Sequence, residues 1–344
     1  MKNKYFVIGL MILLIVCSHS VFASAPKLGT AGAPELLIPM GAKNVALSGS
    51  NIASIAGTDA MYWNPAGMAD LKTGEATFTQ MSYFADMKVS YLAAGANAGK
   101  IGAFGISLQI LNIGDIPVTT VNMPEGTGEI LSPDYLTLSA TYAKRFTDRI
   151  LFGTNVKLIS EKVGTMSASA VGFDLGLQYI SHIGLAFGVT MKNIGSNIEF
   201  DGTAIEFDSS VPFANPNATS RKTKLDMASH ELPASMNLGL SYSYKLAELG
   251  KINLCGVYSN YSYSYDEISA GAEFAFRDML FARAGYLIPL YPSDWEYDET
   301  SEYGMSLGFG INLKMAGTNL MFDYAFRPMA TFDANQYFSI TIGF

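Results

Sequence analysis

Hydrophobic and polar residues alternate strictly from Tyr303 to Met315. Tyr303, Met305, Leu307, Phe309, Ile311, Leu313 and Met315 alternate with Gly304, Ser306, Gly308, Gly310, Asn312 and Lys314. A period of two residues is typical of a β-strand with one apolar face and one small or polar face. The run is longer than the roughly five or six residues of an average strand in a soluble protein. Its length therefore favours a membrane-spanning strand of a β-barrel over a strand of a soluble sandwich.

The same alternation recurs along the chain, for example in 171–179, 183–191 and 236–244. Turn-forming residues separate the alternating runs. Together these runs predict an all-β fold with fourteen antiparallel transmembrane strands, and an even number is what bacterial barrels require. The predicted strands are 74–84, 86–97, 100–113, 134–147, 149–162, 165–180, 182–195, 232–246, 250–262, 264–277, 278–290, 302–315, 317–329 and 333–344.

The lengths of the connections support this count. The long connections 114–133, 196–231 and 291–301 follow the third, seventh and eleventh strands, so all three lie at one end of the barrel. The connections after even-numbered strands are short. Outer-membrane barrels have short periplasmic turns and longer outer loops, so the pattern predicts a C-terminus on the periplasmic side.

The last strand carries a second signal. Phe338, Ile340, Ile342 and Phe344 alternate with small or polar residues, and Phe344 ends the chain. This pattern resembles the C-terminal β-signal that the barrel-assembly machinery recognises, which makes that machinery an expected partner. The alternative is an ordinary strand that ends in phenylalanine.

The N-terminus indicates export. Lys2 and Lys4 precede an apolar run, 6–16, and small residues follow it, which is the pattern of a secretory signal peptide. We expect residues 1–23 to be removed by cleavage after Ala23. A lipoprotein signal at Cys17 is the rival interpretation, but the bulky Val16 precedes that cysteine, where such signals need a small residue.

Composition narrows the class further. The chain is 49% hydrophobic and only 15% charged, whereas soluble domains have about 25% charged residues. No segment after the signal offers the roughly 18 consecutive apolar residues of a transmembrane helix. An exported apolar chain without such a helix can satisfy its backbone in lipid only as a closed barrel. Once the signal is removed Cys255 is the one remaining cysteine, and the net charge of −8 argues against a nucleic-acid partner.

Residues 24–73 do not alternate and are rich in Ala, Gly and Pro. The lumen of a fourteen-stranded barrel would hold open water if no part of the chain filled it. This segment is therefore predicted to be a hatch or plug inside the barrel of residues 74–344. It contains two motifs, 41–49 and 59–69. The hatch motif proper is Trp63, Asn64, Pro65, Ala66 and Gly67.

These two blocks resemble the N-terminal signature of the PorV/PorQ family, within the wider FadL-like (OMPP1/FadL/TodX) group. Residues 56–59 depart from the pattern, because relatives often have an acidic pair there. The resemblance implies a non-enzymatic component of type IX secretion or surface attachment, which binds cargo and secretion-system proteins. The alternative within the same group is a FadL-like channel for the uptake of fatty acids or other hydrophobic small molecules.

The alternation also predicts which charges face the lumen. They would hold the hatch by ion pairs or line a polar passage; a purely apolar tunnel is not evident from the sequence. The residues predicted to face inward are Arg145, Lys157, Asp174, Lys192, Lys245, Glu267, Glu273, Arg277, Arg283, Lys314, Asp323 and Arg327.

Catalytic and metal-binding patterns are weak. His182 and His230 lie in connections at opposite ends of the predicted barrel and cannot share a site. No nucleophile motif or cluster of metal-ligating Cys and His residues appears. The acidic loop 294–299 could bind calcium weakly, although a solvated loop explains it as well. We therefore expect no enzymatic activity, no metal and no cofactor.

Overall fold

The computed structural model describes residues 29–209, 221–246, 249–291, 302–315 and 317–344. The predicted signal peptide and the acidic loop 294–299 lie outside these residues. Within them, fourteen long strands match the fourteen predicted ones. They are β1 (Gly74–Ser82), β2 (Lys88–Asn97), β3 (Ala103–Asn112), β4 (Asp134–Arg145), β5 (Ile150–Val163), β6 (Met166–Ile180), β7 (Leu185–Gly195), β8 (Ser235–Leu246), β9 (Gly250–Tyr261), β10 (Glu267–Phe276), β11 (Leu280–Pro289), β12 (Met305–Met315), β13 (Thr318–Arg327) and β14 (Asn335–Gly343).

The sheet closes on itself. Each long strand pairs antiparallel with its neighbours in sequence, and β1 pairs with β14 in a register that places Phe78 opposite Ile340. Gly74 and Phe344 exchange two backbone hydrogen bonds at the seam of closure. The predicted all-β, fourteen-stranded antiparallel barrel is thus confirmed, and closure leaves no unpaired edge for lipid to meet.

Several strands begin later than predicted. The eighth was expected from residue 232 but begins at Ser235. Pro233 precedes it and has no N–H to contribute to the ladder, so the pairing starts only after the proline.

The long connections share one end of the barrel, called here the long-loop end; the other end is the short-turn end. The long connections contain short strands that the alternation did not predict. The pairs are Ile116–Pro117 with Ile130–Leu131, and Glu206–Ser209 with Arg221–Lys224; Asp201–Gly202 extends the sheet beside β6, and a 3-10 helix covers Thr203–Ile205.

The two faces of the barrel wall differ as the alternation predicts. On β12 the outward side chains of Leu307 and Phe309 are 42% and 54% exposed, whereas the inward Ser306 is 1% exposed. Large apolar side chains on an outer face are suited to lipid hydrocarbon. Among the described residues, no helix combines the length and the apolar composition needed to cross a membrane.

One irregularity interrupts the wall between β6 and β7. Asp174 on β6 stands opposite two residues of β7, Lys192 and Asn193, where a regular ladder has one. Asn193 adopts a left-handed conformation, with φ of 58°. This is a β-bulge, which redirects side chains locally. The alternation on β7 shifts phase there: Met191 and Ile194 both face outward, and Lys192 and Asn193 between them are both buried.

The hatch lies inside the barrel. It enters at the long-loop end, where the Gly32 N–H donates to the carbonyl of Glu231, and leaves into β1 at the short-turn end. It contains the short helices α1 (Ala42–Val45) and α2 (Ala60–Trp63) and the 3-10 helices Pro34–Leu37 and Pro65–Asp70. Both 3-10 helices have proline in the first turn, where its missing N–H costs nothing.

Candidate functional site: the interface between hatch and wall

Neutral polar side chains of the wall hold the backbone of the hatch. Gln178 Nε2 donates to the carbonyl oxygens of Ile52 and Ile55, both at 3.0 Å. Gln109 Nε2 donates to the carbonyl of Glu35 at 2.8 Å. A segment with so little regular secondary structure leaves many backbone groups unpaired, and buried ones need partners. The inner wall supplies them.

Asn64 of the predicted hatch motif is fully buried, and its side chain makes three hydrogen bonds. Its Nδ2 donates to the carbonyl of Ile52 at 2.8 Å and to that of Leu177 on β6 at 3.3 Å. Its Oδ1 accepts from the N–H of Ala66 at 3.2 Å, which caps the 3-10 helix that starts at Pro65. Asn64 thus joins two parts of the hatch to the wall.

The other members of the motif are also packed in the lumen. Trp63 Nε1 donates to the carbonyl of Met40 at 2.7 Å. Gly67 lies against Ile55, where a Cβ would meet the carbonyl oxygen. The fold therefore accounts for the motif by packing, and any further role of these residues stays a prediction.

Glycines of neighbouring strands stand directly opposite each other at the places where the hatch touches the wall. We call each such pair a glycine window. A Cβ at Gly188, for example, would lie 2.7 Å from the Cα of Ala53 in the hatch. The windows are Gly95 with Gly105, Gly153 with Gly176, Gly188 with Gly239, and Gly271 with Gly285.

Three windows receive the main chain of the hatch. Residues 47–48 lie at the β10–β11 window, residues 52–53 at the β7–β8 window, and residues 64–66 at the β5–β6 window. The fourth, on β2 and β3, receives the terminal methyl groups of Met61 and Met68 instead. The absence of side chains lets two backbones approach closely, so the hatch closes the lumen at these levels.

Beside strands β1–β4, β13 and β14 the apolar contacts of the hatch form one buried cluster, although polar contacts such as that of Thr58 with Glu75 and Thr77 also join the hatch to these strands. Its core is formed by the hatch methionines and by apolar residues that face inward from the wall. We call it the methionine seam; its buried members are Ile38, Met40, Ala42, Val45, Ala46, Ile55, Ala60, Met61, Met68, Leu71, Met81, Val89, Tyr91, Ala93, Ala103, Leu111, Ala143, Ala325 and Tyr337.

The methionine seam extends from one end of the lumen to the other. Met87, Ile113 and Tyr135 pack on it at the long-loop end, and Leu71 and Ala143 belong to it at the short-turn end. Barrel interiors are usually polar. An apolar path through the lumen was not evident from the sequence, because it arises only when the hatch methionines meet the wall.

Seven of the twelve charges predicted to face the lumen are buried: Lys157, Asp174, Lys192, Glu273, Arg283, Asp323 and Arg327. They pair mainly with each other. On one side Lys157 Nζ lies 2.7 Å from Asp174 Oδ2. On the other, Arg283 binds Glu273 at 2.7 Å and Asp323 at 2.5 Å. Both networks connect wall strands and so brace the wall, and the first also reaches the hatch through Asn155, which donates to Asp174 Oδ2 and to the carbonyl of Met61.

Three predicted charges have other surroundings. The Lys192 ammonium lies 3.9 Å from the ring centre of Tyr62 in the hatch. Arg327 lies over the ring of Tyr303, at 3.7 Å. Arg145 forms an ion pair with Asp70.

Lys245, Arg277 and Lys314 do not line the lumen as predicted. All three are exposed at the short-turn end. Lys245 and Lys314 are the penultimate residues of their strands and Arg277 follows the last residue of β10, so their long side chains reach past the rim of the lumen into water. Glu267, also predicted to face inward, accepts a hydrogen bond from the Tyr261 hydroxyl at 3.1 Å.

The sequence missed three acidic groups of the lumen: Glu35, Asp59 and Glu161. Glu35 and Asp59 belong to the hatch, where no alternation indicates direction. Burial raises the pKa of Asp59 to about 7, although Lys43 opposes the shift. The inward phase of β5, which identified Lys157, would have identified Glu161 as well.

Two cavities adjoin the hatch. A small one of about 10 Å³, lined by Leu36, Tyr62, Tyr91, Thr137 and Lys157 among others, has room for about one water molecule. A larger one of about 190 Å³ opens at the long-loop end, between residues 30–31, 229–232 and 262–263. His230 lines it, far from His182 at the short-turn end. No group of three potential metal ligands occurs in the described part of the chain.

Solved structures share this architecture at low sequence identity. The P. putida toluene transporter TodX aligns with a TM-score of 0.51 and 13% identity, over 88% of this chain and 96% of that chain. The Ralstonia pickettii toluene transporter TbuX gives 0.53 and 13%, over 88% and 97%. A Pseudomonas aeruginosa FadL homologue gives 0.51 and 12%, over 92% and 99%.

These similarities define the class of protein: a fourteen-stranded barrel with the fold of FadL-like outer-membrane channels. No protein-family model matches the chain, and no curated protein does. The comparisons therefore support the fold of the FadL-like group and give no support to the narrower PorV/PorQ assignment.

Proposed function

We propose that this protein carries small hydrophobic molecules across the outer membrane, past a hatch that adjusts to let them through. It acts by binding and passage, without catalysis. Its partners are the lipid of the outer membrane and an apolar ligand, and it reaches the membrane by signal-directed export and assembly of its C-terminal strand. The fold that it shares with toluene transporters supports this proposal.

The observation that carries the proposal is the continuity of the methionine seam from end to end of the lumen. An apolar solute gains nothing from a water-filled pore but partitions into a hydrocarbon-like path. Methionine is unbranched and adaptable, so Met61 and Met68 can repack around a guest molecule. On the opposite side the main chain of the hatch lies on three glycine windows, where no side chain can change its conformation to make room.

The experiment introduces one buried hydroxyl into the seam. Val89 on β2 is fully buried there, and Val89→Thr keeps its shape while adding a polar group. Burying a hydroxyl without a partner costs about 1 kcal/mol or more, so passage should slow by roughly five-fold. The measurement is the rate at which N-phenyl-1-naphthylamine, an apolar dye excluded by an intact outer membrane, fluoresces in Gram-negative cells that make the barrel.

Val257→Thr is the matched control. Val257 faces the lumen from β9 and is 4% exposed, but it lies outside the methionine seam. Its variant should take up dye like the wild type. Equal slowing by both variants, or dye uptake no faster than in cells without the barrel, would refute the proposal.

A role in protein secretion is the second candidate. The observation in its favour is the resemblance of 41–49 and 59–69 to the PorV/PorQ signature. In the structure both segments lie within the hatch, where packing against the wall accounts for them. Crosslinking in intact outer membranes separates the candidates, since secretion predicts cargo proteins with matching C-terminal domains bound to the barrel and uptake predicts none.

A further inference from the structure

Two carboxyl groups meet where the hatch first touches the wall. Glu35 lies in the 3-10 helix Pro34–Leu37 and is 2% exposed; Glu161 faces inward from β5 and is 3% exposed. Ala33 and Leu36, beside Glu35, share a buried cluster with Ile159, which lies two residues before Glu161 on the same face of β5, and the two carboxyl groups interact with each other. One of these groups belongs to the hatch and the other to the wall.

No cation balances this pair among the described residues. Neither side-chain oxygen of Glu35 accepts a hydrogen bond from a described donor, nor does Oε1 of Glu161. The titratable group that faces the pair from β4 is Tyr135, whose phenol brings no positive charge. From β3 comes the amide of Gln109, which binds the Glu35 carbonyl and not its carboxyl group.

Two adjacent buried carboxylates cannot both be ionised without a large cost. A proton held between them removes the charge repulsion and supplies a donor for the oxygens that otherwise have none. Burial, followed by the charge of Glu161, raises the pKa of Glu35 to about 8. Outer-membrane proteins meet the pH of the surroundings directly.

The pair lies beside a small cavity, where the first turn of the hatch packs on the wall. Residues 33 and 36, on either side of Glu35, belong to a small apolar cluster with Ile159 and Leu232, which is separate from the methionine seam. Beside it lies the water-sized cavity, whose lining includes Thr137, with a buried hydroxyl that has no described partner. Water reaching this cavity could solvate the carboxylates once they separate.

We propose that Glu35 and Glu161 form a proton-controlled latch, in which the first turn of the hatch docks on β5 while the pair holds a proton and leaves it when that proton is lost. This device goes beyond passage of a hydrophobic solute. It makes the attachment of the outer end of the hatch depend on pH.

The direction of the pH dependence follows from linkage. The docked state binds the proton more tightly than the undocked state does, so docking is most stable below about pH 4.5. Stability then falls as the pH rises, and the contribution is lost once the pH passes through about 8. A glutamine at position 35 removes the titration and should make docking independent of pH.

Hydrogen exchange of the first turn tests the latch. The N–H groups of Leu36 and Ile38 donate to the carbonyls of Ala33 and Glu35. In the purified barrel in detergent, their protection, corrected for the intrinsic effect of pH on exchange, should fall at least about ten-fold between pH 6 and pH 9. Glu35→Gln should abolish this fall, and Glu161→Gln should do the same if the first variant fails to assemble.

Glu267→Gln is the matched control, because Glu267 is a lumen carboxyl of β10 whose partner is Tyr261. It should keep the wild-type pH profile at Leu36 and Ile38. Flat protection in the wild type, or an unchanged slope in Glu35→Gln, would overturn the proposal. So would restored protection at pH 9 on adding calcium, which would make the pair a cation site. The readout involves no solute, so its failure would leave the uptake proposal intact.

Discussion

The hatch meets the barrel wall differently on its two sides. On β5–β8, β10 and β11 its main chain lies on glycine windows, backbone against backbone. On β1–β4 its methionine side chains fill the space before the wall. At the windows the atoms in contact belong to the main chain of the hatch, so none of them can move unless the main chain moves. The second consists of flexible side chains that have alternative rotamers.

This difference suggests how a filled barrel can still let a molecule through. A hatch that had to leave the lumen would lose every contact at once. A hatch fixed on one side and deformable on the other can admit a solute along the methionine seam while its main chain stays bound. Gln178 and Asn64 secure the hatch on the side of the windows, while Gln109 of β3 and Glu75 of β1 hold single points of its main chain on the other side.

The largest effect is expected from filling a window. A Cβ at Gly188 would lie 2.7 Å from the Cα of Ala53, so Gly188→Ala forces the main chain of the hatch away at a cost of about 1–3 kcal/mol. Gly105→Ala is the matched change on the seam side, where the nearest atoms are the methyl ends of Met61 and Met68, which can turn aside.

Ion conductance in planar bilayers compares the two variants. Gly188→Ala should open often to ions, because the lumen is no longer closed. Gly105→Ala should conduct as rarely as the wild type. Similar conductance from both would show that the two sides do not differ in rigidity.

A smaller effect is expected from Asn64→Asp. The carboxylate keeps the acceptor for the Ala66 N–H but loses both donated bonds, to Ile52 and to Leu177. Losing the partners of buried groups costs about 1–3 kcal/mol. In a Trp295→Phe background, the fluorescence of Trp63 should report release of the hatch at a lower urea concentration, while the barrel keeps its compact form on electrophoresis.

Asn97→Asp provides the comparison. Asn97 donates one bond, to the carbonyl of Leu71 at 2.6 Å, at a partly exposed position near the short-turn end. Its variant should shift the release of the hatch less than Asn64→Asp does. Loss of the whole barrel in Asn64→Asp would contradict the assignment of this residue to the hatch.

The wall could be predicted from the sequence because its rule is local. A period of two residues decides which side chains face lipid, and it predicts that Lys157, Asp174 and Arg283 face inward; all three are buried in the structure. The same rule placed glycines on the inner face, where they let the hatch approach. The alternation also identified the outward row of Phe338, Ile340, Ile342 and Phe344, although their role in assembly stays a prediction.

The interior of the hatch could not be predicted, for a physical reason. Its helices are single turns, so no periodicity shows which side of Met61 or Glu35 meets the wall. Their positions depend on packing against strands far along the chain. The bulge at Asn193 was missed for a related reason. One extra residue shifts the phase of the alternation, but only Ile194 and Gly195 follow Asn193 in β7, too short a run to show the new phase.

The smallest effect is expected at the short-turn end, where an ion pair links the hatch to the wall. Arg145 Nη2 lies 2.6 Å from Asp70 Oδ1, but the two side chains are 36% and 48% exposed. Exposed pairs contribute about 0–1 kcal/mol and weaken in salt. Arg145→Gln should therefore shift the urea midpoint for release of the hatch slightly at low ionic strength and not at all in about 1 M salt. A shift as large as that of Asn64→Asp would mean that this ion pair holds the hatch. The neutral anchors and the glycine windows would then not explain why the two sides of the hatch differ.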